Sequence, residues 1–355
     1  MINGHGDDAY HYPHIEMDFS SNICVRHGHQ VLMAHLAACP ELMSHYPEPE
    51  AWSLEELIAR QHGLSPDEVI VTNGATEAIY LIAQAFPLHA DVPQPTFSEY
   101  EDACRLFPRT DRQHAMLWLC NPNNPTGDVY DQSVIDNMMS QYHLVVVDQS
   151  YEHYTDRFVM NPRWAARMSN LIQIHSLTKT YGVPGLRLGY ITANATLTAH
   201  IRQYLRPWSV SALSVEAGKF LLRNDQLRCT PDLNEAQRLR DRLQQIDGIL
   251  TQETHTNFML CQLENGSAAR LKDFLARQHH ILIRDASNFR GLTARHFRVA
   301  AQSPEENDRL VEAIKGWMMY DVRGKMEDEG PQPSDIRHQT SDIKHPTSNI
   351  NPQTS

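Results

Sequence analysis

Uninterrupted apolar stretches of strand length constrain the fold of this chain more than any other feature. The segments Met116–Cys120, Leu144–Val147 and Leu171–Ile174 are apolar at nearly every position. A strand with one solvated face alternates apolar and polar residues, whereas a strand in a parallel sheet covered by helices on both faces does not. The β-branched run Glu68–Thr72 predicts one more strand, followed by a helix that starts near Ala75. These patterns predict an α/β domain built on a mostly parallel sheet.

The later part of the chain predicts a smaller α+β lobe. A long charged amphipathic helix is expected over Leu233–Ile246, and strands over Asn257–Cys261, Ile281–Ile283 and His296–Ala300. In the first half, the apolar spacing of Leu54–His62 predicts a helix that ends at the following glycine. We therefore predict an N-terminal segment (1–40) that belongs with the small lobe, a large domain (41–225), a C-terminal small domain (226–320) and a tail (325–355).

The predicted tail has a composition of its own. From Ser334 a seven-residue unit repeats, beginning Ser-Asp-Ile twice and then Ser-Asn-Ile. One isoleucine in each unit cannot form a coiled-coil seam, which needs two apolar positions. Prolines are present and aromatic residues are not, so the tail cannot bury enough surface to offset its ordering entropy. We predict that it is disordered and has no catalytic part.

Charge and composition exclude several classes of protein. The formal net charge of -12 and the pI near 5.9 argue against a nucleic-acid-binding protein, which normally carries a basic surface. The chain has no membrane-spanning apolar run and no signal-peptide pattern at its start. Its six cysteines are scattered, which is typical of reduced thiols in the cytoplasm. The histidine pairs His11/His14 and His279/His280 lack neighbouring ligands at zinc spacing, so we predict no metal.

The strand predicted at Leu171–Ile174 is followed by a distinctive pair of cations. Ser176 and Lys179 come directly after it, and Arg187 stands eight residues beyond the lysine. A partly desolvated lysine can lose its proton and attack an aldehyde, and an arginine with a hydroxyl can hold a phosphate. This arrangement is typical of a lysine that binds pyridoxal phosphate. A surface Lys and Arg flanking a Gly-Pro turn is the alternative.

Three other predicted strand ends carry side chains that suit the same cofactor. Ligands of open α/β sheets bind beyond the carboxyl ends of the strands. Ala75 and Thr76 open a helix, whose amides accept phosphate. Asn124 could direct its amide at the ring hydroxyl, together with Tyr151, and Asp148 could keep the ring nitrogen protonated. Each has an ordinary alternative, such as a turn at Asn124 or a helix cap at Asp148, but the combination favours the cofactor site.

The motifs Asn124-Pro-Thr-Gly127, Asp148-x-x-Tyr151 and Ser176-x-x-Lys179 resemble those of the class I/II aminotransferase superfamily of fold-type I pyridoxal-phosphate enzymes. The resemblance covers roughly residues 4 to 318. It implies an aspartate-aminotransferase-like fold. Within the superfamily, the chain resembles threonine-phosphate decarboxylases most and histidinol-phosphate aminotransferases next, through softer segments such as Asp18–Ile23 and Pro207–Leu213.

The resemblance assigns roles to residues of this chain. Lys179 would bind the cofactor covalently, with Asp148 on the ring nitrogen and Asn124 and Tyr151 on the ring hydroxyl; Lys179, Asp148 and Tyr151 are the implied catalytic residues. Ser176, Arg187, Ala75 and Thr76 would bind the cofactor phosphate. Phe97 would stack on the ring, with Tyr100 as its nearby competitor.

The resemblance also implies substrate contacts and a dimer. Arg298 would hold the substrate carboxylate. Arg284, His5 and Asn22 are further candidates for substrate binding, Arg284 particularly for a phosphate. Tyr46 would reach the cofactor phosphate of a neighbouring subunit, so a homodimer with shared active sites is expected.

The implied reaction is decarboxylation of L-threonine O-3-phosphate to (R)-1-aminopropan-2-yl phosphate, a precursor in cobalamin biosynthesis. A histidinol-phosphate-type aminotransferase that uses 2-oxoglutarate is the alternative, because Arg298 would serve either reaction. A regulatory protein that uses this fold to bind an effector is a third hypothesis, which the short extension before Asp18 disfavours. The stretch between Tyr100 and Cys120 is short for the family, so a strand and a helix of the large domain are expected to be missing.

Overall fold

A computed structural model describes residues 8–24, 29–107 and 115–322 of the 355-residue chain. His5 and the predicted tail (325–355) lie outside the described residues. The strands, in chain order, are β1 (Met17–Asp18), β2 (Val69–Thr72), β3 (His89–Asp91), β4 (Ala115–Cys120), β5 (Leu144–Asp148), β6 (Leu171–His175), β7 (Gly189–Thr192), β8 (Ile249–Thr251), β9 (Phe258–Leu263), β10 (Ile281–Leu282), β11 (Arg284–Asp285) and β12 (His296–Ala300).

The helices alternate with these strands through the first two thirds of the described chain. In chain order they are α1 (His29–Ala37), α2 (Trp52–His62), α3 (Gly74–Ala85), α4 (Glu99–Leu106), α5 (Gln132–Gln141), α6 (Pro162–Arg167), α7 (Leu177–Thr180), α8 (Ala195–Arg202), α9 (Ala212–Arg223), α10 (Leu233–Gln244), α11 (Ala268–His279) and α12 (Pro304–Val322). Short 3-10 helices cover Ala9–His11, Pro40–Met43, Pro66–Glu68, Pro184–Leu186 and Asp225–Leu227.

A six-stranded sheet forms the centre of the larger part, in the order β2-β7-β6-β5-β4-β3. Strands β3 to β6 are mutually parallel, and β7 runs antiparallel to both of its neighbours. Every residue of β5 and β6 is buried, because one apolar cluster covers the face of Val146 and Ile172 and another covers the face of Val145 and Leu171. The predicted mixed α/β fold with a mostly parallel sheet is therefore confirmed.

The register of this sheet brings the carboxyl ends of its parallel strands side by side. Cys120, the last residue of β4, pairs with Asp148, the last residue of β5, and Asp148 pairs with Ile174 of β6. At the other side of β7, the last residue of β2, Thr72, pairs with Gly189. The loops that follow these strands therefore meet at one edge of the sheet, as expected for the ligand side of an open α/β sheet.

A separate four-stranded antiparallel sheet has the order β11-β12-β9-β8. Helices α10, α11 and α12 pack on it around a core that also contains Met17 and Phe19 from the N-terminal segment. The strand predicted at Ile281–Ile283 ends at Leu282 and pairs with β1 in a two-stranded parallel sheet, outside the four-stranded one. The N-terminal segment thus contacts the smaller part, while the limits of the domains stay a prediction.

Candidate active site

A cavity of about 310 Å³ lies where the loops after β4, β5 and β6 meet. The loops of the N-terminal segment and β12 of the smaller part close its other side. The site residues predicted from the sequence that line it are Asn22, Ala75, Thr76, Phe97, Asn124, Asp148, Tyr151, Ser176, Lys179, Arg187 and Arg298. Tyr100, the competitor for the stacking position, lines it as well.

Asp148 is a buried carboxylate at the wall of this cavity. Its Oδ2 accepts a hydrogen bond of 2.8 Å from the hydroxyl of Tyr100, and its Oδ1 accepts one of 2.9 Å from the amide of Ser150. Burial raises the pKa of Asp148 above its usual range, and the hydrogen bonds oppose that rise. The alternative of a helix cap is wrong, because the next helix begins only at Pro162 and is capped by Asn161. A cationic group in the cavity would favour the ionised form.

Phe97 and Tyr100 divide the aromatic roles between them. Tyr100 is buried, stacks on Trp118 at 5.3 Å between ring centroids and uses its hydroxyl on Asp148. Phe97 is only half-buried and meets the edge of Tyr100 at 5.8 Å. Of these two rings, that of Phe97 is the more accessible, and its stacking role stays a prediction.

A candidate phosphate cradle forms at the N-terminus of α3. Gly74 has a φ of +81°, and a Cβ at this position would lie 2.8 Å from Nη2 of Arg187. The guanidinium of Arg187 therefore rests against the first turn of α3, where the amides of Ala75 and Thr76 and the positive end of the helix favour an anion. Ser176 stands at the start of α7 and lines the same cavity.

Lys179 lies in α7 and extends over the ring of Tyr151, with Nζ 5.9 Å from the ring centroid. Tyr151 is buried and packs edge-on against Phe258 at 5.0 Å. Burial raises the pKa of Tyr151 to about 12. The phenol therefore keeps its proton at neutral pH and can donate a hydrogen bond to an oxygen in the cavity.

Arg298 reaches the cavity from β12 and is buried. Its Nη1 donates a 2.5 Å hydrogen bond to Oδ1 of Asn124, and its Nη2 donates to the carbonyl of Ser20. Its Nε is buried and makes no hydrogen bond to any described residue. Burial lowers the pKa of Arg298 to about 10, so it remains charged at neutral pH. The bond to Oδ1 of Asn124 leaves the amide of that side chain to donate elsewhere in the cavity.

Arg284 does not line the cavity but lies next to Arg298. The two arginines are directly opposite each other in the antiparallel pair β11–β12. Both are buried, and burial lowers the pKa of Arg284 as well. Its Nη2 donates a 2.8 Å hydrogen bond to Oδ1 of Asn288, and its guanidinium lies 5.6 Å from the centroid of the Phe289 ring. Like charges directly opposite in a sheet are destabilising, so this pair favours an anionic ligand.

The side-chain amide of Asn22 is buried at the wall of the cavity. Both polar atoms of its side chain are buried and make no hydrogen bond of ordinary geometry within the described chain, although the side chain lies beside Tyr151. Buried polar groups without partners are rare in proteins and commonly mark a ligand position. The predicted role of Asn22 in substrate binding is consistent with this geometry.

Tyr46 does not line the cavity of its own chain. Tyr46 is 85% exposed and its ring lies 5.3 Å from that of Trp208. Its predicted role concerns a neighbouring subunit, so this position agrees with the hypothesis without testing it.

Sequence reasoning missed several residues of the cavity wall. Thr178, Ser20 and Ser21 line it, as do Cys120 and Ser150. The hydroxyl of Thr178 beside the lysine was a usable signal. Ser20 and Ser21 lie in the segment Asp18–Ile23 that carries the resemblance, but nothing in its local pattern placed them at the cavity, because the position of this irregular segment depends on contacts with distant residues.

The arrangement fits pyridoxal phosphate group by group. A helix N-terminus with Arg187 and Ser176 suits its phosphate, a buried carboxylate suits its ring nitrogen, and Phe97 can cover its face. The donors Asn124 and Tyr151 suit its ring oxygen, and Lys179 can reach its aldehyde carbon. The roles of the individual residues stay predictions.

Comparison with known proteins supports this reading. The family model for aminotransferase class I and II matches residues 15–110 and 108–314. A protein of Caldanaerobacter subterraneus subsp. tengcongensis that is provisionally named threonine-phosphate decarboxylase is 31% identical over 319 residues, covering 81% of this chain and 86% of that protein. A histidinol-phosphate aminotransferase of the same organism is 30% identical over 298 residues, covering 76% and 83%.

A solved structure is similar over the same range. The L-threonine-O-3-phosphate decarboxylase of Porphyromonas gingivalis superposes with a TM-score of 0.81 at 33% identity, covering 86% of this chain and 100% of that one. No helix in the described ranges has the length and apolar character needed to cross a bilayer. The matched family depends on pyridoxal phosphate. The chain therefore belongs to the aminotransferase class I and II family, and it is an enzyme whose cofactor is pyridoxal 5′-phosphate.

Proposed function

We propose that the enzyme decarboxylates L-threonine O-3-phosphate to (R)-1-aminopropan-2-yl phosphate, a step of cobalamin biosynthesis. The observation that carries the proposal is the pair of buried arginines Arg284 and Arg298, directly opposite each other on β11 and β12. Two adjacent guanidiniums suit a small substrate with two anionic groups, which for threonine phosphate are the carboxylate and the phosphate. The similarity to proteins named for this activity supports the proposal.

Each side of the cavity has a role in this proposal. Arg298, which lines the cavity, would bind the substrate carboxylate. Asn22 and Arg284, which lies next to Arg298 behind the cavity lining, would bind the phosphate. Bound pyridoxal phosphate supplies an electron sink for the pair of electrons left at the substrate Cα. The carboxylate leaves as carbon dioxide, and Nζ of Lys179 then donates a proton to Cα. Tyr151 and Asn124 would hold the cofactor ring in place during this proton transfer.

A histidinol-phosphate-type aminotransferase is the second candidate. It is favoured by the similar identity of a relative with that name. The same Arg298 would then bind the carboxylate of glutamate or 2-oxoglutarate, and Lys179 would remove a proton from Cα instead of adding one. Which Cα bond stands perpendicular to the cofactor ring decides between the two reactions.

The proposal also includes the setting of the enzyme. We propose a homodimer, supported by the exposed aromatic pair Tyr46 and Trp208. We also propose a cytoplasmic location, supported by the six cysteines, none of which forms a disulfide.

The test compares both reactions with one enzyme preparation. We expect the enzyme to form carbon dioxide and aminopropanol phosphate from threonine phosphate. In the parallel assay with histidinol phosphate and 2-oxoglutarate, we expect it to form no glutamate. Substituting Lys179→Ala should abolish turnover and the visible absorption of the lysine-bound cofactor. Formation of glutamate without release of carbon dioxide would establish the aminotransferase activity instead.

Substitution of Arg284 examines the phosphate contact in the same assay. Arg284→Gln should raise KM for threonine phosphate roughly 100-fold, because an arginine–phosphate contact with two charge-assisted hydrogen bonds is lost. The matched control is Arg290→Gln, which removes an exposed arginine from the loop after β11, where it pairs with Glu101 at 2.7 Å. Equal effects of the two substitutions would contradict a phosphate role for Arg284.

A further inference from the structure

We propose that Tyr154 is a positioning residue that couples the segment carrying Asn22 to the backbone of Lys179. The inference rests on the proposed roles of Asn22 and Lys179, but the coupling itself is a property of this chain's own contacts. Tyr154 does not line the cavity, and the proposed reaction gives it no part. It is fully buried at the point where the two segments meet.

The phenol of Tyr154 makes one hydrogen bond to each segment. Its oxygen accepts a 3.0 Å hydrogen bond from the amide of Cys24, and its hydroxyl donates a 2.9 Å hydrogen bond to the carbonyl of Lys179. These residues lie 130 and 25 positions away in the sequence. With its proton committed to one segment and a lone pair to the other, the hydroxyl holds both backbones at a fixed separation.

A second contact ties the same residue to the lysine turn. The carbonyl of Cys24 accepts a hydrogen bond of 3.0 Å from Sγ of Cys229. The amide of Cys229 in turn donates a 2.8 Å hydrogen bond to the carbonyl of Thr180, next to Lys179. Both ends of residue 24 are therefore held by groups that contact the lysine turn.

These anchors lie close to the residues that would contact substrate. Asn22 is two positions before Cys24 and lines the cavity, with its side-chain amide buried beside Tyr151. The ring of Tyr154 also meets Tyr151 edge-on at 5.7 Å, and Tyr151 lies beneath Nζ of Lys179. Removal of the Tyr154 hydroxyl should therefore displace Asn22 more than the ring of Tyr151, which also packs against Phe258.

The direct test is hydrogen exchange of the Cys24 amide in Tyr154→Phe, measured on the holoenzyme and on the enzyme without cofactor. Removing the acceptor should speed exchange about 10-fold, since the amide loses its hydrogen bond to the phenol while the rest of the fold keeps its protection. Tyr142→Phe is the matched control, because it removes a hydroxyl that donates to Asp91 at 2.9 Å at the far side of the sheet. The hydrogen-exchange measurement does not depend on which reaction the enzyme catalyses.

The kinetic test separates positioning from a general structural role. In Tyr154→Phe we expect KM for the phosphorylated substrate to rise about 5-fold while kcat changes less than about 2-fold, a split that general destabilisation does not produce. Cys229→Ala removes the hydrogen bond from Sγ to the carbonyl of Cys24 and should also raise KM. It keeps the proposal testable if Tyr154→Phe folds poorly.

Two results would overturn the inference. The first is exchange at Cys24 that is as slow in Tyr154→Phe as in Tyr142→Phe. The second is a loss of kcat and thermal stability together, with KM unchanged, in both Tyr154→Phe and Cys229→Ala. Faster exchange at Cys24 in a protein inactive toward both proposed substrates would leave the coupling intact and contradict only the proposed function.

Discussion

Glu152 and His175 form a buried pair directly behind the residues that line the cavity. Oε1 of Glu152 lies 3.1 Å from Nδ1 of His175, and Nε2 of the same ring lies 3.0 Å from the hydroxyl of Thr192. Glu152 follows Tyr151 in the chain, and His175 precedes Ser176. The pair therefore connects the loop after β5 to the end of β6. Burial by itself would raise the pKa of Glu152, but His175 and the neighbouring His153 outweigh it and lower that pKa to about 2.

The substitution Glu152→Gln tests the contribution of this pair to stability. Breaking a buried pair costs about 3 kcal/mol of unfolding free energy. Because the pKa of Glu152 falls from 4.5 to about 2 on folding, its contribution is complete above pH 4.5 and is lost as the pH falls toward 2. Urea unfolding across this range should show a flatter pH dependence for the variant. A curve parallel to that of the wild type, or an equal loss in the exposed control Glu305→Gln, would contradict this account.

At the scale of elements, the sequence was most informative where burial is uniform. The run Met116–Cys120 predicts β4 to within one residue, since a strand covered on both faces is apolar throughout. Helix α2 ends at Gly63 as predicted, because that residue adopts φ of 64°. By contrast, β3 is short and polar at both ends, and its sequence carries no strand signal. The pairing of β10 with β1 was equally hidden, because a local pattern does not specify a distant partner.

The residues of the candidate site also differ in how well the sequence predicts them. Residues that directly follow uniform strands, such as Asp148 and Ser176, could be placed by chemistry and position alone. Tyr154 and Glu152 could not, because their importance comes from partners such as Lys179 and His175 that only the fold brings near.

The contact between β7 and α3 fixes the candidate phosphate cradle. A Cβ on Gly189 would lie 2.6 Å from the amide nitrogen of Ala75 and 2.9 Å from the carbonyl of His175. Both neighbours are backbone atoms and cannot rotate away. The first turn of α3 therefore reaches its position only because residue 189 has no side chain.

Gly189→Ala should displace that turn and weaken cofactor binding about 10-fold or more, since the amides at a helix N-terminus bind phosphate only when aligned with it. Equilibrium dialysis with pyridoxal phosphate measures the change. Gly316→Ala is the control, because nothing lies within 4 Å of a Cβ at that position of α12. Unchanged cofactor affinity in Gly189→Ala would show that α3 does not hold the phosphate.

At the scale of the whole molecule, large apolar side chains are exposed on the part of the surface around Tyr46. Its ring contacts Trp208, which is about half exposed and has a positive φ of 62°. The nearby chain also exposes Met43 and Trp52. Exposed clusters of aromatic side chains are typical of interfaces between subunits. This surface is therefore where we place the proposed homodimer contact.

Mixing two inactive variants tests whether subunits share their active sites. In Tyr46→Ala every site would lack the tyrosine of its neighbour, and in Lys179→Ala every site lacks its own lysine. A hybrid dimer of the two would contain one site with both residues, because the symmetric contact gives each site one residue from each chain. Unfolding and refolding an equal mixture should restore activity to roughly one quarter of the wild-type value, since about half of the dimers are hybrids with one complete site. Sedimentation of each variant as a dimer is the necessary control. Full activity of Tyr46→Ala alone would remove the shared tyrosine from the mechanism, and a monomeric wild type would refute the dimer.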